Sequence, residues 1–174
     1  MNQAHLHLLL NHLPILGVLF GLLILAGGFI LKNNTVRRTA LGIFVLSAGF
    51  AIPAYLTGEG AEEIVENLPG VSENLMEIHE DMANIFLWVV GGLGLLSLVT
   101  FFADQQSKKI ASTLYTLTFA AALGTMFFAQ RVGASGGEIR HTEIRSGATA
   151  TGTEQPQGGE TNPQGGGENA DDDD

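Results

Sequence analysis

The chain has 174 residues, no cysteine, an apolar fraction of 45% and a formal net charge of −10. Without cysteine there are no disulfides, thiolate metal sites or cysteine nucleophiles. Seven of the ten net negative charges lie in Ser146–Asp174, which leaves −3 for residues 1–145, so the acidity describes a tail and excludes nucleic acid as a partner of the fold.

Met1–Asn11 has no basic n-region and no small-residue cleavage pattern follows it, so the first apolar helix is expected to be retained and not removed as a signal peptide. Span one is Leu13–Leu31, with Pro14 in its first turn, where a missing N–H has no partner to lose. Lys32, Arg37 and Arg38 separate it from span two, Thr39–Gly58. A long acidic connection follows, Glu59–Met82. Within it Ala61, Ile64 and Val65 alternate with carboxylates as a short interfacial helix would require, and Leu68-Pro69-Gly70 makes a turn. Ser72 then serves as N-cap of a helix running through His79 into span three. Span three is Ala83–Ala103, and Lys108 and Lys109 lead into span four, Ile110–Gln130.

None of the four spans contains Asp, Glu, Lys or Arg. Nineteen residues at about 1.5 Å each give roughly 28 Å, close to a hydrocarbon core of about 30 Å. A charge at mid-bilayer costs at least about 2.5 kcal/mol. The overall mean hydropathy of +0.24 hides this pattern because the tail dilutes it. The expected fold is all-α: an antiparallel up-down four-helix transmembrane bundle over residues 1–145, followed by a disordered Gly-rich acidic tail, 146–174. The basic residues of the two short turns put those turns in the cytoplasm, and both termini with loop 59–82 on the outer side.

Close helix approach in lipid depends on small residues and buried polar contacts. Candidates are Gly17 and Gly21, Gly27–Gly28, Ala48–Gly49, Gly91, Gly92 and Gly94, and Ala120–Ala122 with Gly124. The hydroxyls of Ser112, Thr113, Tyr115, Thr116, Thr118 and Thr125 are expected to bond back to helix carbonyls or to a neighbouring helix. Phosphate loops, nucleophile elbows and His-Glu-x-x-His are absent from the sequence, so it offers no soluble-enzyme active site. An ion or solute carrier is disfavoured because no ionisable residue lies deep in a span.

Chemistry therefore rests on His5, His7, His12, His79 and His141, all on the outer side. His12 and His79 stand at the outward mouths of spans one and three, at similar depth, where facing side chains can hold a cofactor between helices. Three readings follow. A histidine at a membrane boundary can lift its ring to the headgroups, the default for His7 and His141. Alternatively, His12 and His79 are axial ligands of haem b, with Arg131, Arg140 or Arg145 pairing with propionates. The third is a zinc, iron or copper site built from His5, His12 and His79 with Glu59, Glu62 or Glu80, to which His7, Met76 and Met82 could contribute for copper. The acidic loop is then either a solvated cap or a carboxylate-lined vestibule.

The run His5-Leu6-His7-Leu8-Leu9-Leu10-Asn11-His12-Leu13-Pro14-Ile15 resembles the start of helix one in an uncharacterised prokaryotic four-span membrane-protein family (domain of unknown function 2231). That family also has a histidine at the head of the third span and a Gly-Gly-x-(Ile/Leu) element with a histidine after the fourth, here Gly136-Gly137-Glu138-Ile139-Arg140-His141. Arg140 and Thr142 flank His141 where the family favours other residues. The resemblance covers about residues 3–145 and implies a fold and histidine placement, but no reaction. With the prokaryotic plasma (inner) membrane that the resemblance implies, the combined expectation is a redox accessory subunit holding haem b or a metal near its outer face, among respiratory or other membrane subunits. The alternative is a cofactor-free scaffold.

Overall fold

The computed structural model describes residues 1–106 and 109–145 in full and the backbone of Lys108. The expected tail lies outside the described residues. Helix α1 (Gln3–Leu10) is capped by Asn2, whose Oδ1 accepts from the His5 amide at 3.0 Å. Asn11 keeps helical angles (φ −61°, ψ −30°), so α1 and α2 (His12–Ile30) form one 28-residue apolar rod. Pro14 is buried in the first turn of α2.

The end of α2 is a Schellman turn: the Asn33 amide reaches Gly28 O at 3.1 Å and the Lys32 amide reaches Phe29 O at 3.2 Å. Asn33 then caps α3 (Asn34–Leu56), accepting from the Val36 amide at 3.2 Å. Thr57 joins α3 to the short helix α4 (Gly58–Val65), its hydroxyl donating to Pro53 O at 2.8 Å and Ala54 O at 3.0 Å. Gly70, at φ +82°, turns the chain between α4 and α5. Helix α5 (Glu73–Gln106) begins just after Ser72, whose carbonyl accepts from the Met76 amide, and α6 (Lys108–Arg140) ends in a short 3₁₀ turn.

The helices overrun the charge-free stretches. At 34 residues, α5 is about 51 Å long, well beyond the roughly 30 Å of a bilayer core. Backbone pairing continues where side chains can again be charged, so Glu73, Glu77, Glu80 and Asp81 occupy its first turns. Among the described residues there is no strand, and four helices are long and apolar enough to cross a membrane.

The four long helices close a ring: α2 packs on α3, α3 on α5, α5 on α6, and α6 on α2. Val18, Leu25, Phe44, Val90, Leu93, Tyr115 and Ala122 fill the centre. Two short turns share one end, hereafter the turn end. The opposite, loop end carries α1 leaning on α4. As expected from their size, Gly17 abuts Ser47, Gly21 abuts Phe44 and Gly94 abuts Ala48, and a Cβ at any of these would collide. Gly27, Gly49, Gly91, Gly92 and Gly124 instead have open space beside them, so these do not serve helix approach.

The buried hydroxyls mostly bond back along their own helices, Ser47 to Ile43 O, Ser97 to Leu93 O and Thr125 to Ala121 O. One pair, Thr100 and Thr118, also joins α5 to α6 at 2.9 Å. Outward faces are apolar: Trp88 is 77% exposed and Ile30 80%.

Candidate functional site at the loop end

The five histidines divide sharply. His5 is exposed, with Nδ1 3.0 Å from Asn2 Oδ1 in the helix cap. His12 is exposed too. The two share a face of the α1–α2 rod, as their spacing of seven requires, but that face points outward. His141 is exposed and pairs locally with Glu143 at 2.9 Å. The Glu143 carboxyl sits below the usual carboxylate range, held there by its own backbone N–H and by His141.

His7 and His79 turn inward. His7, half-buried on α1, donates Nδ1–H to Ala54 O at 2.9 Å, with Thr57 Oγ1 at 3.4 Å. A carbonyl can only accept, so the proton is on Nδ1. His79 lies on the first turns of α5 with Nδ1 3.0 Å from Ser135 Oγ on α6. The Ser135 hydroxyl hydrogen is committed to Val132 O at 3.1 Å, which leaves its oxygen to accept from Nδ1–H of His79. The Ala54 carbonyl thus places the His7 proton on Nδ1, and His79 takes the same tautomer when Ser135 donates to Val132 O, a carbonyl that also lies within reach of the His79 ring.

Packing reinforces this placement. A Cβ on Gly136 would lie 2.9 Å from His79 Cε1 and 3.3 Å from its Nδ1, so the ring rests directly on the Gly136 backbone. Here the Gly-Gly element after span four has its use. Burial, and after it the charge of His7, holds the His79 imidazole below its usual range, so the two rings belong to the same end of the bundle. His7, half-buried, and not the exposed His12, is the other inward-turned ring at this end. One turn beyond His7 on the same face, Asn11 has a buried Oδ1 with no donor.

The remaining candidates do not converge. Among the described residues no three His, Asp or Glu side chains are grouped to hold a metal ion, so the set His5, His12, His79, Glu59, Glu62 and Glu80 is not assembled. Glu59 and Glu80 are exposed and Glu62 is half-buried. Glu62 feels the charges of Glu80, Glu66, Glu59 and Glu73, an acidic patch between α4 and the start of α5. Mutual repulsion keeps such carboxylates apart unless a cation is bound. Arg131 is exposed over the Phe127 ring, 5.1 Å from its centre, and Arg140 is exposed. Arg145 spends its donors on Glu138 O, Ile139 O and Gly70 O, tying the end of α6 to the α4–α5 turn.

In the sequence His79 stands out at the head of a span, whereas nothing there distinguishes His7 from a boundary ring or points to Asn11 or Ser135. The available signal was the i, i+4 spacing of His7 and Asn11, which gains meaning only once residues 3–11 are helical. Compared with protein-family profiles, curated proteins and solved structures, the chain finds no match.

Proposed function

We propose that this chain is a multi-pass protein of the prokaryotic plasma membrane, with the turn end cytoplasmic and the loop end outside. Its His7 and His79 would hold haem b near the outer face, in a redox accessory subunit of a membrane complex. The observation that carries this reading is the pair of hydrogen bonds that fix both imidazoles with the proton on Nδ1 and the lone pair on Nε2. Ligation through Nε2 needs that tautomer, and the hydrogen bond on Nδ1 raises the basicity of the ligating nitrogen. Haem is favoured over zinc, copper or iron ions because it asks the protein for two donors, and two are what the loop end supplies. The unpaired Asn11 Oδ1 supports a further polar occupant beside His7.

When bound, haem b exchanges single electrons. The chain's own part is to orient His7 from Ala54 and His79 from Ser135, while the Gly136 backbone supports the His79 ring. Orientation in the membrane rests on Lys32, Arg37, Arg38, Lys108 and Lys109 at the turn end, and the grouping with the four-span family rests on His12, Pro14 and the Gly136–Gly137 element.

A second reading has its own support. The same hydrogen bonds tie α1 to α3 and α5 to α6, which is what a cofactor-free scaffold would need. The test is full-length protein produced with haem and metals supplied, purified in detergent, and read by its optical spectrum and by metal analysis. A stoichiometric Soret band supports the haem site. A colourless protein holding a transition metal moves the site to that ion, and a colourless, metal-free one leaves the scaffold.

A further inference from the structure

The turn end holds a cavity of about 270 Å³, bounded by the α2–α3 turn and the first turns of α6, with Lys32, Asn34, Arg37, Asp104, Ser112 and Tyr115 on its walls. We propose that this cavity binds the phosphate of a lipid headgroup.

Its charge is unbalanced. Asp104 is already satisfied: Arg38 Nε lies 2.6 Å from its Oδ2 and Asn34 Nδ2 lies 2.7 Å from the same atom. Lys32 and Arg37 have no carboxylate partner among the described residues. Arg37 is preorganised. Its Nε donates to Gly28 O at 3.1 Å, and its guanidinium stands 4.7 Å from the Phe29 ring centre and 5.9 Å from that of Tyr115. That anchoring fixes the plane and leaves the terminal amines free, the arrangement by which Arg reads a phosphate.

Two further features fit an anion in the cavity. Tyr115 is 1% exposed, and its hydroxyl is close to Asp104 and Arg38 but makes no hydrogen bond of good geometry with either. A phosphate oxygen entering the cavity would offer that hydroxyl a better-placed acceptor. Lys32 adopts φ +50°, where glycine is the low-cost residue after a helix. A lysine retained at that position reaches the cavity wall, a use for its charge that glycine could not supply. Two cations with the hydroxyls of Tyr115 and Ser112 suit a group with several acceptor oxygens. Exposed Ile30, Leu31 and Ile110 flank the site, giving acyl chains an apolar path where soluble phosphate would have no use for one.

The experiment uses full-length protein in detergent, titrated separately with phosphatidylglycerol in mixed micelles and with inorganic phosphate, binding being followed by native mass spectrometry and by thermal shift. Phosphatidylglycerol should bind and stabilise. Tyr115→Phe keeps the ring and the net charge and should weaken binding about fivefold or more without lowering the unliganded melting temperature. Lys32→Gln, on the surface, should also weaken it about fivefold. Capture of inorganic phosphate alone would overturn the lipid source. Absence of binding by either probe, or phosphatidylglycerol binding indifferent to both substitutions, would overturn the site. No histidine enters this test, so its failure and the failure of the haem reading are separable.

Discussion

At the scale of single residues, the Ala54 carbonyl and the Ser135 oxygen decide which imidazole nitrogen is free, and that choice can be probed without removing a histidine. Ser135→Ala takes away the acceptor for His79 Nδ1–H. If His79 is a ligand, haem affinity should fall about 10- to 100-fold, measured by titration of apoprotein, while the fold loses only about 1 kcal/mol. Gly136→Ala sets a Cβ 2.9 Å from His79 Cε1, so the ring must move or the α5–α6 contact must open. The expected loss is about 1–3 kcal/mol, seen as a lower melting temperature in detergent. His79 was legible in the sequence because it precedes a charge-free span. His7 was not, because one residue of helical rotation separates an outward ring from an inward one, and only packed neighbours set that rotation.

At the scale of elements, the existence and order of the helices were legible because a missing charge over about twenty residues is a strong signal. The short α4, the Gly70 turn and the start of α5 near Ser72 were legible from local chemistry. Which small residues face a neighbour was not, since Gly17 and Gly91 look alike in a string of letters. The contrast is testable. Gly21→Ala drives a Cβ onto the Phe44 ring and should cost about 1–3 kcal/mol. Gly91→Ala and Gly92→Ala meet nothing and should be neutral or stabilise by about 0.5–1 kcal/mol, because glycine is the poorer helix former. Thermal unfolding of the three variants side by side checks the pattern. Thr100→Val with Thr118→Val should reveal a coupling of about 0.6 kcal/mol in a double-mutant cycle.

At the scale of the whole molecule, the two ends of the bundle differ in charge: most carboxylates and all five imidazoles lie at the loop end with Arg131, Arg140 and Arg145, and the turn end gathers Lys32, Arg37, Arg38, Lys108 and Lys109 with Asp104. The chain has no cysteine, so a single introduced thiol reports its side of the membrane without background. Asn67→Cys should react with an impermeant maleimide in intact cells, and Thr35→Cys only after permeabilisation; the reverse pattern would invert the orientation. The central claim is narrower: two neutral imidazoles, on α1 and α5, are preset to ligate through Nε2. Its most direct test is the optical spectrum of the full chain, produced with haem supplied, for wild type and for His7→Ala, His79→Ala and His12→Ala. A Soret band in wild type and His12→Ala that is lost in the other two is the predicted result. A band that depends on His12 and survives His7→Ala, or no band in any of them, would contradict it.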